Sequence, residues 1–173
     1  NVRREDGRTD MDYADLSEFL RKGRGVLAKG PVALVFLEDD VEADATLRHH
    51  LAAGFRAVVA FDGTGAELSA PVLEAVTTVA WDRGRESFAD VVNACIKAAP
   101  GTWLYYCFNA EFLFFPFSET RNVIEMLTFA AEERRDTVMT YVVDLYADDL
   151  RAHPSGVSLR HAHLDRAGYY ALA

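Results

Sequence analysis

Four short runs of apolar residues, PVALVFL (31–37), FRAVVAF (55–61), VTTVAW (76–81) and TWLYYCF (102–108), punctuate this chain, with a helical segment between each and the next. An apolar run of that length, without polar alternation, reads as a strand buried on both faces. The intervening segments are ADATLRHHLAA (43–53), stopped by Gly54, a short helix after Pro71, and ESFADVVNACIKA (86–98), closed by Pro100-Gly101. Strands alternating with helices imply βαβ units and a parallel sheet. Upstream, DYADLSEFLRK (12–22) carries Tyr13, Leu16, Phe19 and Leu20 at helical spacing. Downstream, a helix over about 119–135, with Ser118 as its cap, leads to a fifth apolar run, TVMTYVV (137–143). The expectation is an α/β fold, a three-layer α/β/α sandwich. Its mostly parallel sheet is built from strands at 31–37, 55–61, 76–80, 102–108 and 137–143.

The chain has 173 residues, enough for one domain with a real core, and one α/β domain is expected over 11–173. The opening NVRREDGRTD (1–10) is charged, has no apolar run of a signal peptide, and reads as a flexible leader. No apolar run approaches the roughly 18 to 20 residues that span a bilayer. With 27 acidic against 18 basic residues the formal net charge is −9, which argues against a nucleic-acid partner held through its phosphates. Phosphates remain accessible to an acidic protein if a divalent cation neutralises them. Cys95 and Cys107 lie in apolar settings, VVNACIKAA and WLYYCFNAE, and read as buried thiols of a reducing, cytoplasmic compartment.

Ligands of a parallel sheet sit at the carboxyl ends of its strands. The strand ends to read are Glu38-Asp39-Asp40, Asp62 before Gly63, and Asn109-Ala110-Glu111. Clustered carboxylates repel one another, which favours a ligand or a cation among them, although Asp62 before glycine is also an ordinary turn signal. His49 and His50 are neighbours on one helix and do not face the same way. They read as one packing and one surface residue rather than a metal pair. The sequence contains no GxGxxG, GxxxxGK[ST], GxSxG or HExxH motif, which lowers the dinucleotide, P-loop, hydrolase and zincin readings.

Two resemblances follow. LVFLEDDVEADATLRHHLAAGFRAVVAFDG resembles the opening of a response-regulator receiver domain, with Asp82 at the spacing of the phosphorylated aspartate. Against it, RGRESF replaces the short proline-containing turn after that aspartate, and TVMTYVVDLY lacks the lysine that pairs with the phosphoryl group. The segments FLEDD, LRHHLAAGF, VVAFD and TWLYYCFNAEFLF, in that order, resemble family 2 glycosyltransferases over about residues 31–150. That resemblance implies a Rossmann-like nucleotide-diphospho-sugar transferase fold of the GT-A type. It further implies a sugar transferred from a nucleotide-diphosphate donor to an acceptor, with Mg²⁺ or Mn²⁺ assisting.

Carried onto this chain, the resemblance implies that Glu38, Asp39 and Asp62 hold the donor and that Asn109 and Glu111 take the metal. The family's Asn-Glu is here Glu38-Asp39, and its metal-binding Asp-x-Asp is Asn109-Ala110-Glu111, one carboxylate fewer. An inverting transferase also needs a carboxylate base. Asp144, just past the fifth expected strand, has the best position, with Glu132 and Glu133 as alternatives. Acceptor-binding structure usually follows the fifth strand in this family, and the chain ends soon after Tyr170, so the acceptor side is expected to be truncated. Whether the domain catalyses or is a non-catalytic relative turns on Asn109 and Glu111.

Overall fold

In the computed structural model, which describes residues 11–164, the four apolar runs form one parallel sheet. In chain order the elements are α1 (Leu16–Lys22), α2 (Arg24–Leu27), β1 (Val32–Leu37), α3 (Ala43–Ala52), β2 (Ala57–Asp62) and α4 (Ala70–Ala75). There follow β3 (Thr77–Ala80), α5 (Phe88–Ala98), β4 (Leu104–Phe108), α6 (Val123–Glu132), β5 (Leu145–Ala147) and β6 (Ala162–Leu164). The leader expected over 1–10 lies outside the described residues. The chain divides into two compact units, one ending at Thr128 and the other starting at Phe129, so α6 begins in the first and ends in the second.

The first unit holds the sheet, ordered β3-β2-β1-β4 with every pairing parallel. All six residues of β1 are buried, as its unbroken apolar sequence requires of a strand covered on both faces. Alternate residues of β1 divide between two cores. Ala33, Val35 and Leu37 pack with Leu47 of α3, Val72 of α4 and Val123 at the start of α6. Val32, Leu34 and Phe36 pack with Phe19 of α1, Leu27 of α2 and Val91 and Cys95 of α5. Helices therefore cover both faces, the three-layer arrangement expected of βαβ repetition. Asp15 caps α1, accepting from the Glu18 amide at 2.7 Å, and Ser87 caps α5, accepting from the Asp90 amide at 3.2 Å.

Two features of this unit were not legible in the pattern. The outer edge of β3 is covered by Tyr13, whose amide donates to the Thr78 carbonyl at 3.1 Å and whose carbonyl accepts from Ala80 at 3.0 Å. The cap of α6 is Asn122 rather than Ser118. Asn122 Oδ1 accepts from the Glu125 amide and Glu125 Oε2 from the Asn122 amide, both at 3.0 Å, a reciprocal capping box.

In the second unit α6 ends in a Schellman arrangement, with Arg134 at φ 57°. The Arg135 amide donates to Ala130 and the Arg134 amide to Ala131, both at 2.9 Å. The fifth strand expected at 137–143 does not form. Those residues carry no regular secondary structure and no strand pairing, and Met139, Tyr141, Val142 and Val143 are exposed. The apolar composition suits a strand, but such preference expresses fit to a half-buried pleated surface and is not sufficient without a paired neighbour. Strand structure starts instead at β5, which pairs antiparallel with β6 through Leu145 and Leu164. Among the described residues no helix is long and apolar enough to cross a membrane.

Candidate functional site

The order β3-β2-β1-β4 reverses direction at β1: β2 and β3 step to one side and β4 returns to the other. In an open parallel sheet this reversal opens a crevice between the carboxyl ends of the two strands concerned. Here those ends carry Glu38 and Asp39 after β1, and Asn109 and Glu111 after β4.

Asn109 joins the two ends. Its backbone amide donates to the Phe36 carbonyl at 3.0 Å, continuing the ladder one residue beyond β4. Its Oδ1 accepts from the Glu38 amide at 2.8 Å, while Nδ2 donates to Asp39 Oδ1 and to the Val41 carbonyl, the latter at 3.0 Å. The orientation of the amide follows from these partners, because the reverse would set its oxygen against two acceptors. Asp39 Oδ1 also accepts from the Val41 amide at 2.9 Å, closing the turn that leads into α3.

Glu111 folds back onto its own strand, with Oε2 accepting from the Phe108 amide at 2.8 Å. The tight turn between them places Ala110 at φ 62°, a left-handed conformation that side chains resist. The Ala110 amide donates to Thr46 Oγ1 at 2.9 Å, and Thr46 Oγ1 donates to the Glu42 carbonyl at 2.8 Å. The buried hydroxyl of α3 thus anchors the turn after β4.

Asp62 lies one strand over, in register with Leu37, and is only 5% exposed. Its Oδ1 accepts from the Thr64 amide at 2.8 Å, the Thr64 hydroxyl at 3.0 Å and the Gly65 amide at 2.8 Å, and its Oδ2 from the Ala66 amide at 3.1 Å. This carboxylate organises the 63–66 turn. Arg83, from the β3–α5 connection, reaches Glu38 with one guanidinium nitrogen on Oε1 at 2.7 Å and the other on the backbone carbonyl at 3.2 Å. Its guanidinium also lies over the Trp81 ring, 5.8 Å from the centroid. Arg83 was not singled out in the sequence, although its place just beyond the β3 end was the available signal.

The structure therefore brings Glu38, Asp39 and Asn109 into direct contact, sets Glu111 and Asp62 at the ends of the two strands that flank β1, and adds Arg83. Asp144 precedes β5 in the second unit. The sheet strand it was expected to close is not formed. Glu132 and Glu133 also belong to the second unit, at the end of α6.

Of the histidine pair, expected to divide into one packing and one surface residue, the packing residue is His50, and His49 is partly enclosed rather than at the surface. His50 is fully buried. His49 is half-buried, donates from Nε2 to the Leu113 carbonyl at 2.8 Å, and meets the rings of Phe112 and Phe114. Both cysteines are free and buried, as expected.

The implied Mg²⁺ or Mn²⁺ meets a donor set that does not suit it. Both amide atoms of Asn109 are engaged, one oxygen of Glu111 holds the β4 end, and Asp39 accepts from two groups. Among the described residues no three His, Cys, Asp or Glu side chains are grouped to hold a metal ion. Comparison with family models, with curated proteins and with solved structures finds no match to this chain.

Proposed function

We propose that this chain is a nucleotide-sugar-binding domain of the glycosyltransferase kind, with a GT-A-type sheet that takes the donor at the crevice between β1 and β4. The observation that carries the reading is the coincidence of two independent features at one place. The reversal of strand order falls between β1 and β4, and the segments FLEDD and FNAEF, which bear the family 2 resemblance, end those two strands. Thr64, Glu38 and Arg83 supply hydroxyl, carboxylate and guanidinium groups around the neighbouring strand ends, suited to the polar edges of a nucleoside.

The strand order also favours this reading over the receiver-like one. Receivers use the order 2-1-3-4-5, with the third strand inside the sheet. Here β3 is at the edge. Asp82 beyond it is tied to the Gly84 amide at 2.9 Å and to Arg85 at 3.3 Å.

A second reading, a domain of the same fold that binds without catalysing, is favoured by the internal engagement of Asp39, Asp62 and Glu111. Calorimetric titration with UDP and GDP tests the binding common to both, and hydrolysis of the corresponding sugar nucleotides separates them. Saturable binding of either nucleotide, weakened by Arg83→Ala, is the expected result. No heat from either at millimolar concentration would sink the donor-binding reading. Beryllofluoride with Mg²⁺ is expected to leave the melting temperature unchanged, whereas stabilisation that requires Asp82 would favour the receiver reading.

A further inference from the structure

Four polar contacts converge on Asn109. They come from the Phe36 carbonyl, the Glu38 amide, the Asp39 carboxylate and the Val41 carbonyl, which belong to the end of β1 and the turn after it. Two of the four, Asp39 and Val41, face the side-chain nitrogen and carry negative or partially negative oxygen. A carboxylate at position 109 would set charge against both oxygens, and the ordinary relief for carboxylates so crowded is a divalent cation between them. The amide removes that need. Its NH₂ group donates to both oxygens while its own oxygen remains on the Glu38 amide, so one neutral side chain links the strand ends that an ion would otherwise bridge.

Glu111 fits the same account. Its carboxylate has a structural partner, the Phe108 amide at the carboxyl end of β4, held in place by the left-handed Ala110 turn and Thr46.

We infer that Asn109 takes the place of a divalent cation at this edge of the sheet, which therefore holds neither Mg²⁺ nor Mn²⁺. The inference does not rest on the donor-binding reading.

Titration of the whole protein with MnCl₂ alone, followed by calorimetry and by the melting temperature, tests it. The unmodified chain is expected to show no saturable Mn²⁺ binding in the millimolar range. Stoichiometric binding weakened by Asn109→Ala or Glu111→Gln would overturn the inference. Asn109→Asp is expected to melt lower than the parent in EDTA and to recover with Mn²⁺, because a bound ion stabilises the folded state. A folded Asn109→Asp protein indifferent to Mn²⁺ would also overturn it. If that variant does not fold, the parent titration still decides.

Discussion

His50 and Cys107 meet inside the sheet–helix core. The Cys107 thiol donates to His50 Nε2 at 3.6 Å, while Nδ1 of the same ring donates to the Thr46 carbonyl at 2.8 Å. That pairing requires a neutral ring with its proton on Nδ1. The ring also stacks with Tyr105, at 5.4 Å between centroids. Burial is the main reason that its pKa falls to about 4, outweighing the bond to Thr46, with the neighbouring His49 lowering it further.

Stability should accordingly depend on pH through this residue. A folded pKa below the ordinary 6.5 means that the unfolded chain binds the extra proton first. The contribution is complete above pH 6.5 and is lost as the pH falls towards 4, approaching about 3 kcal/mol. Urea unfolding across that interval should show the loss. His50→Phe, though less stable at neutral pH, should show a flatter profile. An unchanged slope in His50→Phe would assign the titration elsewhere.

Asp62→Ala should destabilise the fold by about 2–4 kcal/mol, because four donors of the 63–66 turn lose a buried acceptor. Asp62→Asn, which keeps an oxygen, should lose less. A cost below about 1 kcal/mol in urea unfolding would show that water replaces the carboxylate freely.

The capping box at α6 gives a paired comparison. Asn122→Ala should cost about 1 kcal/mol and Ser118→Ala close to nothing. Equal effects on the unfolding midpoint would contradict the assignment of the cap.

Arg134 occupies the left-handed position that closes α6. Replacing it with glycine removes the steric penalty of a Cβ there, and Arg134→Gly should stabilise by about 0.5–1 kcal/mol. Thermal unfolding in parallel with Arg134→Ala, which keeps the penalty, provides the reading.

Both thiols should be inert in the folded protein. Burial pushes Cys95 up to about 12, and burial with the nearby Glu111 carboxylate also raises Cys107 above the ordinary thiol range. A disulfide reagent should label neither in native buffer and both in denaturant. Fast labelling of either in native buffer would contradict its enclosure.

The sequence alone determined the α/β class and the positions of the four sheet strands. A buried parallel strand must be apolar on both faces, and that demand is written locally. The same holds for the turn at Asp62-Gly63 and for the buried cysteines. What the tertiary structure decided was which strand lies beside which, and therefore where the crevice opens. It also decided that Asn109 is spent on the end of β1, that Asp62 serves its own turn, that His50 is inside, and that Tyr13 covers the β3 edge. Those partners are distant in the chain, as with Asn109 and Glu38, and no periodicity encodes them. TVMTYVV marks the boundary between the two kinds of information. Its residues have the composition of a buried strand, but a strand is a relation between two segments, and only the folded chain shows whether the second is there.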